Sequence, residues 1–226
     1  MKIYALMENI SHDECLACEH GLSLYIEADG KKILFDTGAS ENFAANAEKM
    51  GVDLKAVDFA AISHGHYDHG GGLAKFIEIN DHAPIYISNK GFNQYYSGTD
   101  FNVSIPEGLE GNPRFVLTSE PIKLSENITL LNCNDREAKY FADPYGLNKL
   151  VDGEFIPDDF LHEQYLIIEE NGKRIVISGC SHKGILNIME WLKPDILIGG
   201  FHFFRLTTEG EDAATLDKSA TILNEY

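Results

Sequence analysis

The chain has 226 residues, of which 44% are hydrophobic, and its 36 acidic against 18 basic residues give a formal net charge of −18. This length and apolar content predict one folded domain with a substantial core and exclude a disordered chain. The acidic balance argues against nucleic acid and anionic membranes as partners, because both attract basic surfaces.

Neither a leader sequence nor a membrane segment is predicted. The chain meets an acid at Glu8, too early for the apolar region of a signal peptide. No apolar run approaches the ~20 residues that a membrane helix needs. The cysteines are too few and too irregularly spaced for a disulfide framework. We therefore expect a cytoplasmic protein, and its oligomeric state stays open.

Turn residues and hydrophobic periodicity predict alternating strands and helices in the first half of the chain. The Asp29-Gly30 turn joins two strands as a hairpin, and Ser40 is placed to cap the helix that follows. The predicted strands cover residues 2–8, 22–27, 32–35, 57–62 and 84–88, and the predicted helices cover 41–50 and a segment that begins at residue 73.

The second half repeats this pattern after an irregular insertion. Residues 89–114 are expected to form a long loop or short helices, as lids and binding loops often do. The aromatic residues of this insertion could stack on a planar substrate or pack on the domain, and we favour packing: Phe92, Tyr95, Tyr96 and Phe101. The predicted strands are 115–117, 128–131, 165–168, 174–178 and 195–200, and the predicted helix is 185–192.

Four potential metal ligands lie within six positions, directly after the predicted strand 57–62. His64 and His66 are two residues apart, so in extended backbone their side chains project to the same side. Their imidazole nitrogens can then reach one ion at roughly 2.0–2.1 Å. Asp68 and His69 follow where the chain turns, so they can face a second, adjacent position. This spacing favours a metal site over a solvated histidine-rich loop.

The motif His64-x-His66-x-Asp68-His69 resembles the signature of the metallo-β-lactamase superfamily. The chain resembles more closely the branch of metal-dependent hydrolases that includes the dihydropterin-ribofuranosylaminobenzene-phosphate synthases. Four further stretches match that branch: Glu19–Ser23, Leu34–Gly38, Gly179–Ile185 and Gly199–His202. The resemblance implies an α/β (α+β) fold in four layers, an αββα sandwich that forms a single domain over residues 1–226.

Three strand ends are expected to deliver the metal ligands. The assignment gives each of two divalent ions three ligands: His64, His66 and His182 for one, and Asp68, His69 and His202 for the other. The resemblance implies that Asp36 supports the ligand loop, because a carboxylate can accept the second N–H of a ligating histidine and fix its ring. Asp68 is also expected to orient the nucleophile.

Some positions depart from the family pattern. Cys180 falls where many members carry a metal-bridging aspartate, so its thiolate is either a ligand or a buried, inert group, and one ion remains an alternative to two. His162 lies where the third histidine usually stands, which makes it a rival to His182. His20 could reach the edge of the site. Members usually continue into a His-Cys-Thr-Gly motif that is absent before Tyr226, so a shortened form is a further expectation.

The predicted function is that of a metal-dependent hydrolase or transferase acting on a small, phosphorylated or pterin-like molecule through a metal-activated water or hydroxyl. Zinc is the expected metal, with iron and manganese as alternatives. Lys183 and Arg205 could contact a phosphate, although surface roles are favoured. Two other functions stay open: an iron-linked redox protein that uses Cys15 and Cys18, and a metal-binding sensor without turnover.

Overall fold

The computed structural model describes residues 1–203 and 206–225. Its strands are β1 (Lys2–Met7), β2 (Ser23–Ala28), β3 (Lys31–Phe35), β4 (Phe59–Ala61), β5 (Ile85–Ser88), β6 (Tyr95–Ser97), β7 (Phe101–Asn102), β8 (Phe115–Thr118), β9 (Ile122–Lys123), β10 (Ile128–Leu131), β11 (Leu147–Val151), β12 (Glu154–Pro157), β13 (Tyr165–Glu170), β14 (Lys173–Ile177) and β15 (Ile196–Ile198). Its helices are α1 (Asn42–Lys49), α2 (Tyr67–Gly70), α3 (Leu73–Ile79), α4 (Ile185–Leu192) and α5 (Gly210–Leu223). Among these residues, no helix combines the length and the apolar character that crossing a membrane requires.

The strands form two large sheets and one small sheet. The first sheet has the order β1-β2-β3-β4-β5-β8 and is antiparallel from β1 to β3 and parallel from β3 to β8. The second has the order β15-β14-β13-β10-β9, with a parallel pair at β14 and β15. Parallel strands end at the same edge of a sheet, so the residues that follow β3 and β4 come together there, where ligand sites of α/β sheets usually form.

Three apolar clusters separate four layers of structure. Helices α1 and α3 cover the outer face of the first sheet with Phe43 and Phe76, and α4 covers the second sheet with Ile188. The middle cluster lies between the sheets, and strand side chains alternate accordingly: Leu34 faces the helices and Phe35 faces the second sheet. Each large apolar side chain buried in this way contributes roughly 1.5–3 kcal/mol. The layers form the expected αββα sandwich.

The small sheet, with the order β12-β11-β6-β7, is absent from the sequence-based prediction. Residues 89–114, which were expected to form a loop or short helices, contain β6 and β7, and β6 pairs with β11. All residues of β7 and β12 are exposed, so these strands lack the alternation that marks a half-buried strand. Helix α5 is likewise unpredicted, because Ser219 is its only buried residue.

Gln164 connects the two large sheets beside the edge where β4 ends. Its side-chain amide donates to the Ile62 carbonyl at 2.7 Å and accepts from the Thr118 hydroxyl at 2.7 Å. We expect Gln164→Leu to lower the free energy of unfolding by about 2 kcal/mol, because buried polar groups would lose their partners. Chemical denaturation measures the change. Gln94→Leu is the control, since Gln94 is exposed, and an equal effect of both variants would contradict this role.

Candidate metal centre

Histidines from separate strand ends lie together beyond the carboxyl ends of β4, β14 and β15. The ring centroid of His182, after β14, lies 4.8 Å from that of His64 and 5.0 Å from that of His66, both of which follow β4. The ring of His202, after β15, lies 4.2 Å from that of His182. The fold thus brings together side chains such as His64 and His182, which are 118 positions apart in the chain.

His64, His66 and His182 have the spacing of ligands around one ion. Each offers a nitrogen within 4.8 Å of the others, and the Nε2 atoms of His64 and His182 are 3.3 Å apart. Two nitrogens bound tetrahedrally to zinc at 2.0–2.1 Å would be about 3.3–3.4 Å apart. Burial lowers the pKa of His64 and of His182 well below its ordinary value, so both rings are neutral near pH 7 and keep a lone pair.

The chemistry of this trio fits a cation. Its three buried imidazoles each offer a nitrogen within 4.8 Å of the others. Imidazole nitrogens are ligands that divalent transition metals bind. One further nitrogen on each of two rings, Nε2 of His66 and Nδ1 of His182, has no hydrogen-bond partner among the described residues, and such buried exceptions require an explanation.

Asp36 orients His69 directly and orients His64 through Ser63. Its carboxylate accepts from the Ser63 amide at 2.6 Å, from the Ser63 hydroxyl at 2.7 Å and from His69 Nδ1 at 2.6 Å. The Ser63 hydroxyl has one proton, which it donates in its hydrogen bond to Asp36. Its oxygen must therefore accept a hydrogen bond from His64 Nδ1, which lies 2.8 Å away. Both rings are therefore oriented with Nε2 toward the site. Asp36 is fully buried, and its predicted role, supporting the ligand loop, stays a prediction. Ser63 was not among the predicted site residues.

Asp68 and His69 lie together with Cys180 and His20. His69 Nε2 lies 3.1 Å from Cys180 Sγ and 3.3 Å from Asp68 Oδ2, and His20 Nε2 lies 3.4 Å from the same carboxylate oxygen. His64, His69 and Cys180 also have ligand spacing. His202, which the sequence grouped with Asp68 and His69, lies against His182 instead. The second ligand set, with its choice between His202 and Cys180, stays a prediction.

Charge is concentrated around His69. Burial opposes its ionisation, but Cys180, Asp68 and Asp36 together raise the pKa of His69 well above its ordinary value. Burial likewise opposes the ionisation of Asp68, yet His69 lowers the pKa of that carboxyl below its ordinary value. Burial raises the pKa of the Cys180 thiol. Metal binding at His69 and Cys180 would therefore release protons.

His162 is oriented in a way that does not suit a metal ligand. Its Nδ1 accepts from the Gly65 amide at 2.8 Å, so the ring proton is on Nε2, which donates to Asp158 at 3.0 Å. Neither nitrogen keeps a free lone pair. Of the two rivals for the third ligand position, His182 has the geometry that metal binding requires.

Lys183 is engaged in the fold and is not available to a phosphate. Its ammonium group donates to the Asn132 carbonyl at 2.6 Å, to the Asn134 side chain at 2.6 Å and to the Glu163 carbonyl at 3.2 Å, which uses all its protons. Arg205, the other cation proposed from the sequence, lies outside the described residues.

The cysteines of the C-x-x-C motif, Cys15 and Cys18, are free and exposed in the segment that precedes His20. They do not line the cavities that border the histidines. The redox role considered for them therefore has no geometric link to the site among the described residues.

A cavity of about 240 Å³ borders the candidate ligands. Its polar lining includes His66, Asp68 and Cys180. Residues of the small sheet and its neighbourhood complete the lining, and most of them are apolar: Ser97, Phe101, Val103 and Leu147. Most of the insertion's aromatic residues pack as favoured from the sequence, with Tyr95 buried and Phe92 against Phe115 at 5.0 Å. Phe101 is 57% exposed, and it is the one that a substrate could contact.

Comparison with known proteins identifies the family of the chain. The model of the metallo-beta-lactamase superfamily matches residues 17–216. The 7,8-dihydropterin-6-methyl-4-(beta-D-ribofuranosyl)-aminobenzene-5'-phosphate synthase of Methanocaldococcus jannaschii is 32% identical over 234 residues, which cover 92% of this chain and 80% of the relative. The crystal structure of Tm1679, described as a metal-dependent hydrolase of the beta-lactamase superfamily, has a TM-score of 0.78 at 28% identity and covers 99% of this chain and 83% of its own. Rm3 metallo-beta-lactamase, at 15% identity and a TM-score of 0.53 over 90% of this chain and 78% of its own, shares the fold alone. The chain belongs to the metallo-beta-lactamase superfamily.

Proposed function

We propose that the chain is a metal-dependent hydrolase or transferase that acts on a small, phosphorylated or pterin-like molecule. The observation that carries the proposal is the trio His64, His66 and His182, whose nitrogens converge beside a cavity of about 240 Å³ that is large enough for part of a small ligand. The similarity to a relative named as a synthase supports transfer. The similarity to Tm1679, described as a hydrolase, supports hydrolysis.

The donor set supports zinc as the first choice of metal. Neutral imidazoles suit zinc, iron and manganese, whereas the thiol of Cys180 adds a soft ligand that favours zinc over manganese. A divalent ion held by these residues supplies Lewis acidity and lowers the pKa of a bound water toward ~7. Whether one or two ions bind depends on whether Asp68, His69 and Cys180 act as a second ligand set.

Asp68 is the proposed catalytic residue. Its carboxylate lines the cavity and is kept ionised by His69. An ionised carboxylate at this place can orient a water or a substrate hydroxyl through a hydrogen bond. His20 Nε2 lies 3.4 Å from Asp68 Oδ2 and is a second polar group beside that carboxylate.

The lining of the cavity supports an amphipathic substrate. Its polar side chains would contact the reacting group, while the apolar side chains of Phe101, Val103 and Leu147 would contact a ring system. Phe101 is 57% exposed. An exposed aromatic ring of this kind can pack on a planar ring in an offset-stacked or edge-to-face arrangement.

A metal reconstitution series tests the proposal. Metal-free protein is reloaded separately with zinc, manganese or iron, and its turnover of phosphoesters, lactones, thioesters and a reduced pterin with a phosphorylated acceptor is measured. We expect turnover with at least one metal, its loss on chelation and its loss in His66→Ala. No turnover with any metal would favour a sensor, and coloured protein with stoichiometric iron but no turnover would favour the redox function.

A further inference from the structure

We propose that Asp158 positions His66 for metal binding by accepting a hydrogen bond from its Nε2–H group. This bond keeps the ring proton on Nε2 and leaves Nδ1 of His66 as the ligand atom. The inference rests on the proposed metal centre, and it concerns a residue far from the metal-binding motif in the chain. Asp158 follows β12, more than ninety positions after His66. Nothing in the spacing of the motif indicates it.

Asp158 is a carboxylate held in a fixed position under the site. Its side chain is fully buried. Oδ1 accepts from the Phe160 amide at 2.9 Å, and Oδ2 accepts from His162 Nε2 at 3.0 Å. A carboxylate oxygen has room for a second donor. Oδ2 therefore still has acceptor capacity on the side that faces His66.

The nearby nitrogen of His66 lacks a partner. Its Nε2 is buried, has no hydrogen-bond partner among the described residues and lies 3.8 Å from Asp158 Oδ2. This distance is about 0.8 Å longer than a normal hydrogen bond. A small rotation of the His66 ring would bring its Nε2 within hydrogen-bond distance of Asp158 Oδ2.

His66, Asp158 and His162 also have the spacing of a metal site, but the hydrogen bonds argue against that assignment. The Gly65 amide donates a hydrogen bond to His162 Nδ1, and His162 Nε2 donates a hydrogen bond to Asp158. A metal would have to displace both bonds. The trio is therefore a supporting arrangement around Asp158, in which one carboxylate fixes the tautomer of a ligand and of a neighbouring ring.

Aromatic side chains seal this arrangement from water. The Tyr95 ring lies 4.0 Å from that of His162, and the Phe160 ring stacks on His182 at 4.5 Å with an interplanar angle of 8°. Hydrogen bonds between buried groups are stronger than those in water, because the local dielectric is low. The Asp158 contact can therefore set the tautomer of His66 decisively.

The test measures the tautomer of His66 directly. Long-range nitrogen–proton NMR of metal-free wild-type protein should show His66 protonated at Nε2, with its signals assigned by their loss in His66→Gln. In Asp158→Asn, the amide nitrogen replaces the acceptor oxygen, and His66 should shift to protonation at Nδ1. Asp159→Asn is the matched control, because Asp159 pairs with Lys149 at the surface and its replacement should change nothing.

Zinc binding supplies the second readout. We expect Asp158→Asn to weaken zinc affinity by about 10–100-fold with unchanged stoichiometry, as is typical when the partner of a ligating histidine is lost. Competition with a chromophoric chelator measures affinity, and elemental analysis measures stoichiometry. Loss of one zinc equivalent with an unchanged His66 tautomer would overturn the inference, since the trio would then be a metal site itself.

The two proposals fail in different ways. Wild-type protein that binds no metal would contradict the proposed function, while the tautomer measured without metal still decides the role of Asp158. A wild-type His66 protonated at Nδ1 would overturn the inference even if zinc binds tightly. The wild-type spectrum needs no variant, so misfolding of Asp158→Asn would not prevent the test.

Discussion

Replacing His64 by alanine is expected to remove bound metal and to lower turnover by about 10³-fold or more. His64 belongs to two groups with ligand spacing, one with His66 and His182 and one with His69 and Cys180. Its loss therefore weakens both. The metal contributes several kcal/mol of charge stabilisation, and about 4 kcal/mol corresponds to a factor of about 10³ in rate.

Elemental analysis and steady-state kinetics on zinc-loaded protein measure this effect. His82→Ala is the matched control, because His82 is an exposed histidine that pairs with Asp81 and lies away from the site. The control should retain metal and activity. Circular dichroism of both metal-free variants checks that folding is equal. A His64→Ala protein that keeps its full complement of metal would contradict the proposed ligand set.

Replacing Asp36 by asparagine is expected to weaken metal binding by about 10–100-fold and to lower the free energy of unfolding by about 3 kcal/mol. The amide nitrogen would face the Ser63 hydroxyl and His69 Nδ1, which both donate to Asp36 in the native protein. Two buried donors would then lack an acceptor. A neutral His69, the form that binds metal, would then carry its proton on Nε2, and the lone pair that a metal needs would no longer face the site.

Asparagine is the appropriate replacement because Asp36 has a φ of 59°. Asparagine and aspartate tolerate this left-handed backbone better than other residues that carry a side chain, so the variant tests the hydrogen bonds and not backbone strain. Denaturant unfolding and chelator competition measure the two effects. Asp58→Asn, an exposed carboxylate that accepts one backbone amide at 2.7 Å, should change the free energy of unfolding by less than ~0.5 kcal/mol. Equal losses in the two variants would contradict the special role of Asp36.

Local patterns in the sequence predicted much of the architecture. The helix 185–192 is found as α4 with the same bounds, and the strand 128–131 is found as β10. Both carry their periodicity in adjacent residues, and Lys193-Pro194 ends the helix. The strands β7 and β12 escaped prediction because their exposed residues carry no such periodicity.

By itself, the sequence determined the family and the four-layer fold through its resemblance to known motifs. It also determined the cluster of candidate ligands from His64 to His69, because spacing within one strand end places these side chains together. Only the tertiary structure decided which nitrogen of each ring is available. That choice depends on distant partners, such as Asp36 with His69 and Gly65 with His162. A histidine's lone pair is set by the hydrogen bond on its other nitrogen, and those bonds form only once the layers have packed.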